Sequence, residues 1–272
     1  FFKFLKLLRH PRTLLYYGSK FYIKYYERFS YKIDKNGEAL LLKHLYSKPG
    51  DVIFDVGANI GEWSDKALQL QNDCLIHSFE LSPKTFETLK NKYRSIERVK
   101  LNNVGLSNKT GAVSFKDYGK DSGHSTLIEQ STFCDSFEEY ERSEGNVITG
   151  DEYCHQHNID HIRLLKLDVE AAEHLVLEGF SRMLKRAKID IIQFEYGFTH
   201  SDVKFLIQDF YSLLVPMGYI LGPLKPHGVL FMDFEYGLND FNSGPNYVAV
   251  LSSKKELIDL LKGDPILGFP RT

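Results

Sequence analysis

Cysteine is scarce in this sequence, and the few cysteines follow no pattern. Only Cys74, Cys134 and Cys154 occur, an odd number without Cys-x-x-Cys spacing. Neither a disulfide framework nor a zinc cluster is indicated, and we expect a reducing, cytoplasmic location. The sequence also lacks a run of about 18 apolar residues that could cross a bilayer, and it shows no signal-peptide pattern.

A strong excess of charge is absent as well. The 34 Lys and Arg residues nearly balance 36 Asp and Glu residues, so the formal net charge is −2. This balance gives no general attraction to nucleic acid, and we expect no nucleic-acid partner. With 272 residues, of which 43% are hydrophobic, the chain can form one large domain with extensions.

The basic residues are nevertheless concentrated in one segment. Residues 1–32 carry eight Lys and Arg against the single acid Glu27, interleaved with Phe, Tyr and Leu. The pattern predicts a basic, aromatic helical extension over residues 1–37. Two interpretations stay open: a surface that packs on protein, as in a homo-oligomer, or an amphipathic helix that contacts an anionic membrane.

Apolar stretches of strand length alternate with amphipathic stretches of helix length in the rest of the chain. This alternation is typical of an α/β fold, with a mostly parallel sheet and helices on both of its faces. The seven predicted core strands are 52–56, 75–80, 99–104, 164–169, 190–195, 218–222 and 247–252. The predicted helices are 62–70, 83–94, 171–187 and 201–217.

The alternation breaks at residues 108–150, which are polar and mostly without helical periodicity. Within them and just beyond, "GAVSFKDY" and "NVITGDEY" alternate like exposed strands. Long inserts at the carboxyl edge of a parallel sheet commonly build lids or substrate pockets. We therefore predict a core domain over 38–253 with an inserted lid at 108–150, followed by a tail over 254–272.

A loop with unusual glycine spacing follows the first strand. In "DVGANIG", residues 55–61, Asn59 stands where a dinucleotide-binding loop has the glycine that admits a pyrophosphate. Asparagine tolerates left-handed backbone, so the tight turn is kept, and no Gly-Lys-Ser/Thr follows as in a P-loop. The pattern favours a nucleoside cofactor without a pyrophosphate.

Two acids near this loop sharpen the cofactor prediction. Glu80 ends the second strand and could accept hydrogen bonds from a ribose diol, while Asp55 would face an ammonium group. S-adenosylmethionine carries both of these donors and no phosphate; its demethylated product is S-adenosylhomocysteine.

Four motifs together resemble the FkbM-type S-adenosylmethionine-dependent methyltransferases. They are "DVIFDVGANIGEWS", "HSFELSPKTFETLKNK", "NNVGLSNKTGAVSF" and "LLKLDVEAAEHLVLEGF", in order within residues 38–196. The resemblance implies a Rossmann-like class I methyltransferase fold and methylation of a hydroxyl oxygen, often on a sugar or natural product. The chain departs from the family pattern Asp-Val-Glu-Gly-Ala-Glu at Ala171, which replaces the glycine.

The predicted cofactor site gathers residues from the ends of four strands. Asn103 and Val104 are the candidates for contact with the adenine. The full set is Asp55, Gly57, Ala58, Asn59, Gly61, Glu80, Leu81, Asn103, Val104 and Asp168.

Methyl transfer to a hydroxyl needs alignment and a base. Asp168 is our first candidate for the base, Glu195 the second, and His124 and His200 are further candidates. Lys166 could also reach the site from its strand.

Two other interpretations of the acids stay open. Asp168 could instead cap a helix whose acidic first turn holds Glu170 and Glu173. Asp168 and Glu195 could also hold Mg²⁺, but a clear third acid is missing, so we predict no metal.

The function predicted from sequence is O-methylation of a small-molecule or glycan acceptor. One alternative is a non-catalytic binding or scaffold module that keeps the fold and the cofactor site. The other is an NAD(P)-dependent oxidoreductase, which Asn59 disfavours.

Overall fold

The computed structural model describes residues 11–27, 30–119, 125–129, 139–240 and 245–263. Within these ranges the strands are β1 (Val52–Val56), β2 (Leu75–Phe79), β3 (Val99–Asn102), β4 (Gly105–Leu106), β5 (Gly111–Asp117), β6 (Glu141–Ile148), β7 (Ile162–Leu167), β8 (Ile189–Glu195), β9 (Tyr219–Lys225), β10 (Gly228–Val229) and β11 (Asn246–Leu251).

The helices alternate with these strands over most of the described chain. They are α1 (Pro11–Glu27), α2 (Glu38–Lys43), α3 (Glu62–Leu70), α4 (Pro83–Tyr93), α5 (Gly150–Gln156), α6 (Glu173–Gly179), α7 (Ser181–Lys185), α8 (His200–Val203), α9 (Ile207–Leu214) and α10 (Lys255–Leu261), with 3₁₀ turns at Val215–Met217 and Tyr236–Asp240. None of the described helices has the length and apolarity that spanning a bilayer requires.

Eight strands form the main sheet in the order β10-β9-β11-β8-β7-β1-β2-β3. The pairs β1–β2, β2–β3, β1–β7 and β7–β8 are parallel, whereas β11 runs antiparallel to β8 and β9. The chain leaves β1 toward β2 and later returns on the other side of β1 as β7. The carboxyl ends of β1 and β7 therefore border the crevice where such sheets bind ligands.

Each face of the sheet carries its own apolar core, because side chains alternate along a strand. Phe54 of β1 packs on one face with Phe180 and residues of α6, α7 and α9. Ile53 packs on the other face with Trp63 and residues of α2, α3 and α10. Burying one such side chain contributes about 1.5–3 kcal/mol. The predicted mostly parallel sheet with helices on both faces is confirmed.

The strand count is the first correction to the sequence prediction. The structure has eight strands in this sheet rather than seven, because the two residues of β10 turn back onto β9. Gly228 at this turn has φ 132°, and an added side-chain carbon would lie 2.6 Å from the carbonyl oxygen of Leu261. Two residues are too few for an alternation pattern to show in sequence.

The longer predicted helices are also broken. The prediction over 171–187 becomes α6 and α7, separated at Phe180, and α6 begins only at Glu173. Left-handed backbone at Glu170 and Ala171 (φ 52° and 72°) delays its start. The prediction over 201–217 becomes α8, α9 and a 3₁₀ turn, since Lys204 is left-handed with φ 55°.

The insert forms a second, three-stranded sheet in the order β4-β6-β5. "GAVSFKDY" is the strand β5, as predicted. "NVITGDEY" is only partly strand: β6 ends at Ile148, and α5 follows, capped where Glu152 N donates to Thr149 Oγ1 at 3.2 Å. The proposed boundaries of the domain and of the lid stay predictions. Within the predicted tail, α10 buries Leu257 and Leu261 in the core.

Candidate functional site

The loop after β1 is a tight turn, and glycine and asparagine adopt its left-handed backbone at little energetic cost. Gly57, Asn59 and Gly61 all have positive φ, of 77°, 46° and 82°. The amides of Gly57 and Ala58 both donate to the carbonyl of Phe79, at 3.1 and 2.9 Å, so the loop is tied to the end of β2. A side-chain carbon on Gly57 would lie 1.8 Å from the carbonyl oxygen of Asp168, so no other residue fits there.

Glu80 lies immediately after β2 and is fixed by backbone donors. Its Oε2 accepts from Asn59 N at 2.9 Å and its Oε1 from Ser82 N at 2.8 Å. Burial raises the pKa of Glu80 to about 7, although both amide donors oppose that shift. Because each carboxylate oxygen can accept two hydrogen bonds, the fixed group keeps capacity for further donors.

A cleft of about 620 Å³, including its open mouth, lies between this loop and the insert. Five residues of the predicted cofactor site line it: Gly57, Asn59, Glu80, Leu81 and Asp168. The lining residues absent from the prediction are Val56, Phe79, Thr85, Gly105, Leu106, Ser125, Leu127, Val169 and Ala172.

A second groove opens on the other side of the loop. It shares Gly57, Asn59 and Asp168 with the cleft and is also lined by Ala58 and the segment Tyr31–Asp34. The two spaces therefore meet at the carboxyl ends of β1 and β7. Sequence alone gave no sign that residues preceding α2 would border the site, because they carry no recognisable motif.

Asp55 lies below the loop, not in the cleft. It is fully buried, accepts from Ser64 Oγ at 2.6 Å through Oδ2, and pairs with Lys166 Nζ at 3.0 Å through Oδ1. Both carboxylate oxygens are thus engaged by the protein itself. The predicted contact of Asp55 with a cofactor ammonium stays a prediction.

The residues expected at the adenine have structural contacts of their own, and their contact with the adenine stays a prediction. Asn103 Nδ2 donates to the carbonyls of Glu80 and Leu81 at 2.9 and 3.3 Å, which holds the backbone after β2 in place. Val104 packs against the core. Among the described lining residues the corresponding wall of the cleft is Gly105 and Leu106. Gly61 instead packs on Tyr93, whose hydroxyl donates to the Gly61 carbonyl at 2.7 Å.

Lys166 connects the loop to the acids at the end of β7. Its buried ammonium lies 3.0 Å from Asp55 Oδ1, 3.1 Å from the Gly57 carbonyl and 3.2 Å from Asp168 Oδ2. Burial alone would lower the pKa of Lys166, but the charges of Asp168 and Asp55 outweigh it and raise that pKa. Lys166 therefore stays positively charged. It also reaches the site from its strand, which the sequence left as a possibility.

Three carboxylates meet at the ends of β7 and β8. Asp168, Glu170 and Glu195 each offer one oxygen, and these oxygens lie within 4.8 Å of one another. Burial, and then the charges of Asp168 and Glu170, raise the pKa of Glu195 well above its ordinary value. Asp168, beside Lys166, has a side chain that is 41% exposed.

Glu170 is the third acid that the sequence prediction lacked. Its left-handed backbone (φ 52°) turns the chain there, and the signal in sequence was the neighbouring position where the family pattern has glycine. Among the residues that the structure describes, this cluster is the one group of acids, histidines or cysteines close enough to hold a metal ion.

The alternative interpretation placed these acids at the start of a helix, as a cap and an acidic first turn. It holds only for the place of Glu173 in the first turn. The residue before α6 is Ala172, which makes no side-chain cap, so neither Asp168 nor Glu170 caps this helix. Glu173 is in the first turn; its Oε1 accepts from Val169 N at 2.9 Å, and its Oε2 lies 3.1 Å from His200 Nε2. His200 is thus buried beside Glu173. His124, the other candidate histidine, lies outside the described residues.

Comparisons with known proteins agree with this geometry. Residues 55–221, more than half of the chain, match the methyltransferase FkbM domain. The hexuronic acid methyltransferase AglP of Haloferax volcanii is 26% identical over 198 residues, which cover 71% of this chain and 77% of that protein. The 2-O-methyltransferase NoeI of Sinorhizobium fredii is 27% identical over 203 residues, covering 71% and 79%.

A solved structure shows a more distant likeness. The methyltransferase FkbM of Methylobacillus flagellatus KT aligns with a TM-score of 0.45 and 16% identity, over 77% of this chain and 47% of that one. At that level the likeness adds nothing to the fold assignment, which rests on the strand order described above. The sequence match and the site together lead to one conclusion: the chain belongs to the FkbM methyltransferase family and is an S-adenosylmethionine-dependent methyltransferase.

Proposed function

We propose that this protein methylates a hydroxyl oxygen of a saccharide. The observation that carries the proposal is the pairing of an accessible carboxylate, Asp168 beside Lys166, with the carboxyl of Glu195, whose pKa is raised by burial and by the neighbouring acids. This arrangement supplies a base and a hydrogen-bond donor at the mouth of the cleft. The saccharide class is supported by the names of the two relatives, a hexuronic acid methyltransferase and a 2-O-methyltransferase.

The residues of the cleft suit S-adenosylmethionine. Glu80 keeps acceptor capacity for the ribose hydroxyls, and Asn59 Oδ1 is buried without a hydrogen-bond partner, so it can accept from the cofactor's ammonium. Among the described lining residues there is no Lys or Arg, which fits a cofactor without phosphate and disfavours a nicotinamide dinucleotide. Trp63 Nε1 is buried beside the second groove without an acceptor, so it can donate a hydrogen bond to the carboxylate of the cofactor's methionyl group.

When bound, S-adenosylmethionine supplies an activated methyl group and leaves as a neutral thioether. Asp168 accepts the proton of the acceptor hydroxyl as the new carbon–oxygen bond forms. Lys166 fixes the position of Asp168 through the contact at 3.2 Å. Glu195 donates a hydrogen bond that orients the acceptor oxygen, so that most of the rate enhancement comes from alignment.

Turnover with a panel of saccharides tests the proposal. Labelled S-adenosylmethionine is incubated with the protein and with acceptors that include free uronic acids, neutral oligosaccharides and lipid-linked saccharides. We expect label in an alkali-stable ether on at least one saccharide hydroxyl, with loss of label in Asp168→Asn. Label on nitrogen or carbon alone, or turnover with no saccharide, contradicts the O-methyltransferase proposal.

The scaffold alternative makes a different prediction. A non-catalytic module would bind S-adenosylmethionine but retain its biological role after Asp168→Asn, which our proposal forbids. A cytoplasmic location is part of our proposal and is supported by Cys74 and Cys154, which are buried and free. The absence of a nucleic-acid partner stays a prediction, as does the homo-oligomer.

A further inference from the structure

Helix α1 carries an apolar face that its own chain does not cover over the described side chains. Leu14 is 50% exposed, Leu15 73%, Tyr17 53% and Phe21 74%. Leu14, Tyr17 and Phe21 follow one another at spacings of three and four, which places them on one side of the helix. Exposed apolar surface of this extent normally marks a contact with a partner.

One exposed cation of the same helix, Lys20, borders this face, whereas Arg12 lies on the opposite side of the helix. Lys20 Nζ lies 4.7 Å from the centre of the Tyr16 ring. A cation that rests on an aromatic ring keeps its charge in water while its stem covers apolar surface. The helix is therefore amphipathic, with an exposed apolar side and positive charge on its flank and its opposite side.

Charge decides between the two partners that fit an amphipathic helix. Residues 1–32 hold eight Lys and Arg and only one acid, so two copies of the segment would bring like charges together. An anionic lipid surface attracts the same charges and accepts the apolar face. Tyrosine, of which residues 1–32 hold several, is enriched where membranes meet water. We infer that α1 is a peripheral anchor that binds an anionic lipid surface.

The anchor adjoins the active site in sequence. The segment Tyr31–Asp34, which borders the second groove, follows α1 after a few residues. If the proposed function holds, binding through α1 would keep this groove near the membrane, where acceptors built on lipid carriers reside. The lipid-binding inference itself does not depend on the identity of the acceptor.

Vesicle flotation of the full-length chain tests the inference directly. The probes are vesicles of pure phosphatidylcholine and vesicles of phosphatidylcholine mixed with phosphatidylglycerol. One variant, Arg12→Gln with Lys20→Gln, removes charge, and a second, Leu14→Ser with Phe21→Ser, removes apolar groups from the face. A matched control, Lys185→Gln with Arg186→Gln, removes the same charge from an exposed site on α7 and the turn after it.

We expect the wild-type chain to float with the anionic vesicles, to be released by salt, and to stay behind with pure phosphatidylcholine. Each basic side chain near an anionic surface contributes about fivefold in affinity, so the charge variant should bind about 25-fold more weakly. The apolar variant should also lose binding, and the control should not. All variants should bind S-adenosylhomocysteine as the wild type does, which shows that they are folded.

Three results would overturn the inference. The first is no flotation of the wild type with anionic vesicles, and the second is equal weakening by the control and the charge variant. The third is a dimer in sedimentation analysis that the apolar variant abolishes while lipid binding is absent, because that result assigns the face to a second copy.

Discussion

The two halves of the active site are built in different ways. On the cofactor side, Glu80 is positioned by the backbone amides of Asn59 and Ser82, and the loop itself is bonded to Phe79. On the acceptor side, Asp168 and Glu195 are governed by charge, through Lys166 and through each other. Turn geometry positions the first half, and electrostatics positions the second. A mutation in one half should therefore leave the role of the other half intact.

The largest effect should come from the acceptor side. Asp168→Asn removes the base but keeps the shape of the side chain, so we expect kcat to fall by about 10²–10⁴-fold. Affinity for S-adenosylhomocysteine should change by less than about threefold, because Asn59 and Glu80 are untouched. Steady-state kinetics and calorimetry measure the two quantities. A kcat within tenfold of the wild type would remove Asp168 from the role of base.

The next largest effect should come from the turn on the cofactor side. Gly57→Ala puts a carbon 1.8 Å from the Asp168 carbonyl at a φ of 77°, so the loop must shift. We expect a loss of at least about 3 kcal/mol of stability, together with loss of cofactor binding. Gly50→Ala is the matched control, since Gly50 has φ 90° with open space around it. Equal losses of stability in the two variants would show that φ, and not the close approach, sets the requirement.

A smaller effect should appear in the pH dependence of cofactor binding. With a pKa of about 7, Glu80 is mostly protonated one unit below that pH and mostly ionised one unit above it. Affinity for S-adenosylhomocysteine should therefore rise up to about tenfold across this window in the wild type. Glu80→Gln should bind weakly and without this slope. If the affinity of the wild type did not change with pH, binding of the cofactor ribose would not depend on the charge of Glu80.

The same raised pKa affects stability with the opposite sign. The folded chain binds more protons at Glu80 than the unfolded chain does, so stability falls as pH rises from the ordinary Glu value toward about 7. Denaturant titrations of the wild type across that range check the direction.

Relief of backbone strain beside the acids should have a still smaller effect. Ala171 is buried and left-handed with φ 72°, a conformation that favours glycine. Ala171→Gly relieves the strain but removes a buried methyl, so stability should change by less than about 1 kcal/mol. Denaturant midpoints measure the difference, and a larger loss would show that Ala171 packing holds the turn at Glu170.

Removal of metal should have the smallest effect. Lys166 already compensates part of the charge of the acid cluster, so EDTA should change kcat by less than about twofold. Turnover is measured before and after dialysis against EDTA. A loss of activity that Mg²⁺ restores, and that Glu170→Gln abolishes permanently, would instead assign Asp168, Glu170 and Glu195 to a cation.

Sequence predicted the local turn after β1 but not the long-range contacts of the site, and the reason is physical. The strand at 52–56 and the turn at Asn59 are local features, and the predicted strand bounds match β1. The contact between Asp55 and Lys166 joins residues far apart in the chain, so no local pattern reveals that Asp55 is already paired. Glu170 was missed as part of the cluster because a left-handed turn, not a helix, follows β7.

Side chains that hydrogen-bond to the backbone are also hard to identify from sequence. Asn103 was expected at the adenine because of its position after the third strand. Its amide instead binds the carbonyls of Glu80 and Leu81, a role that sequence cannot separate from ligand binding. Two-residue elements such as β10 are likewise set by tertiary packing, so they leave no periodic signal.

Calorimetric titration of S-adenosylhomocysteine into the wild type, Glu80→Ala and Asp168→Asn tests the separation of the two halves most directly. We predict binding to the wild type, loss of binding in Glu80→Ala, and near-normal binding in the Asp168→Asn variant, which turns over little or no substrate. Equal weakening in both variants would contradict the account, because the cofactor and acceptor halves would then act as one unit.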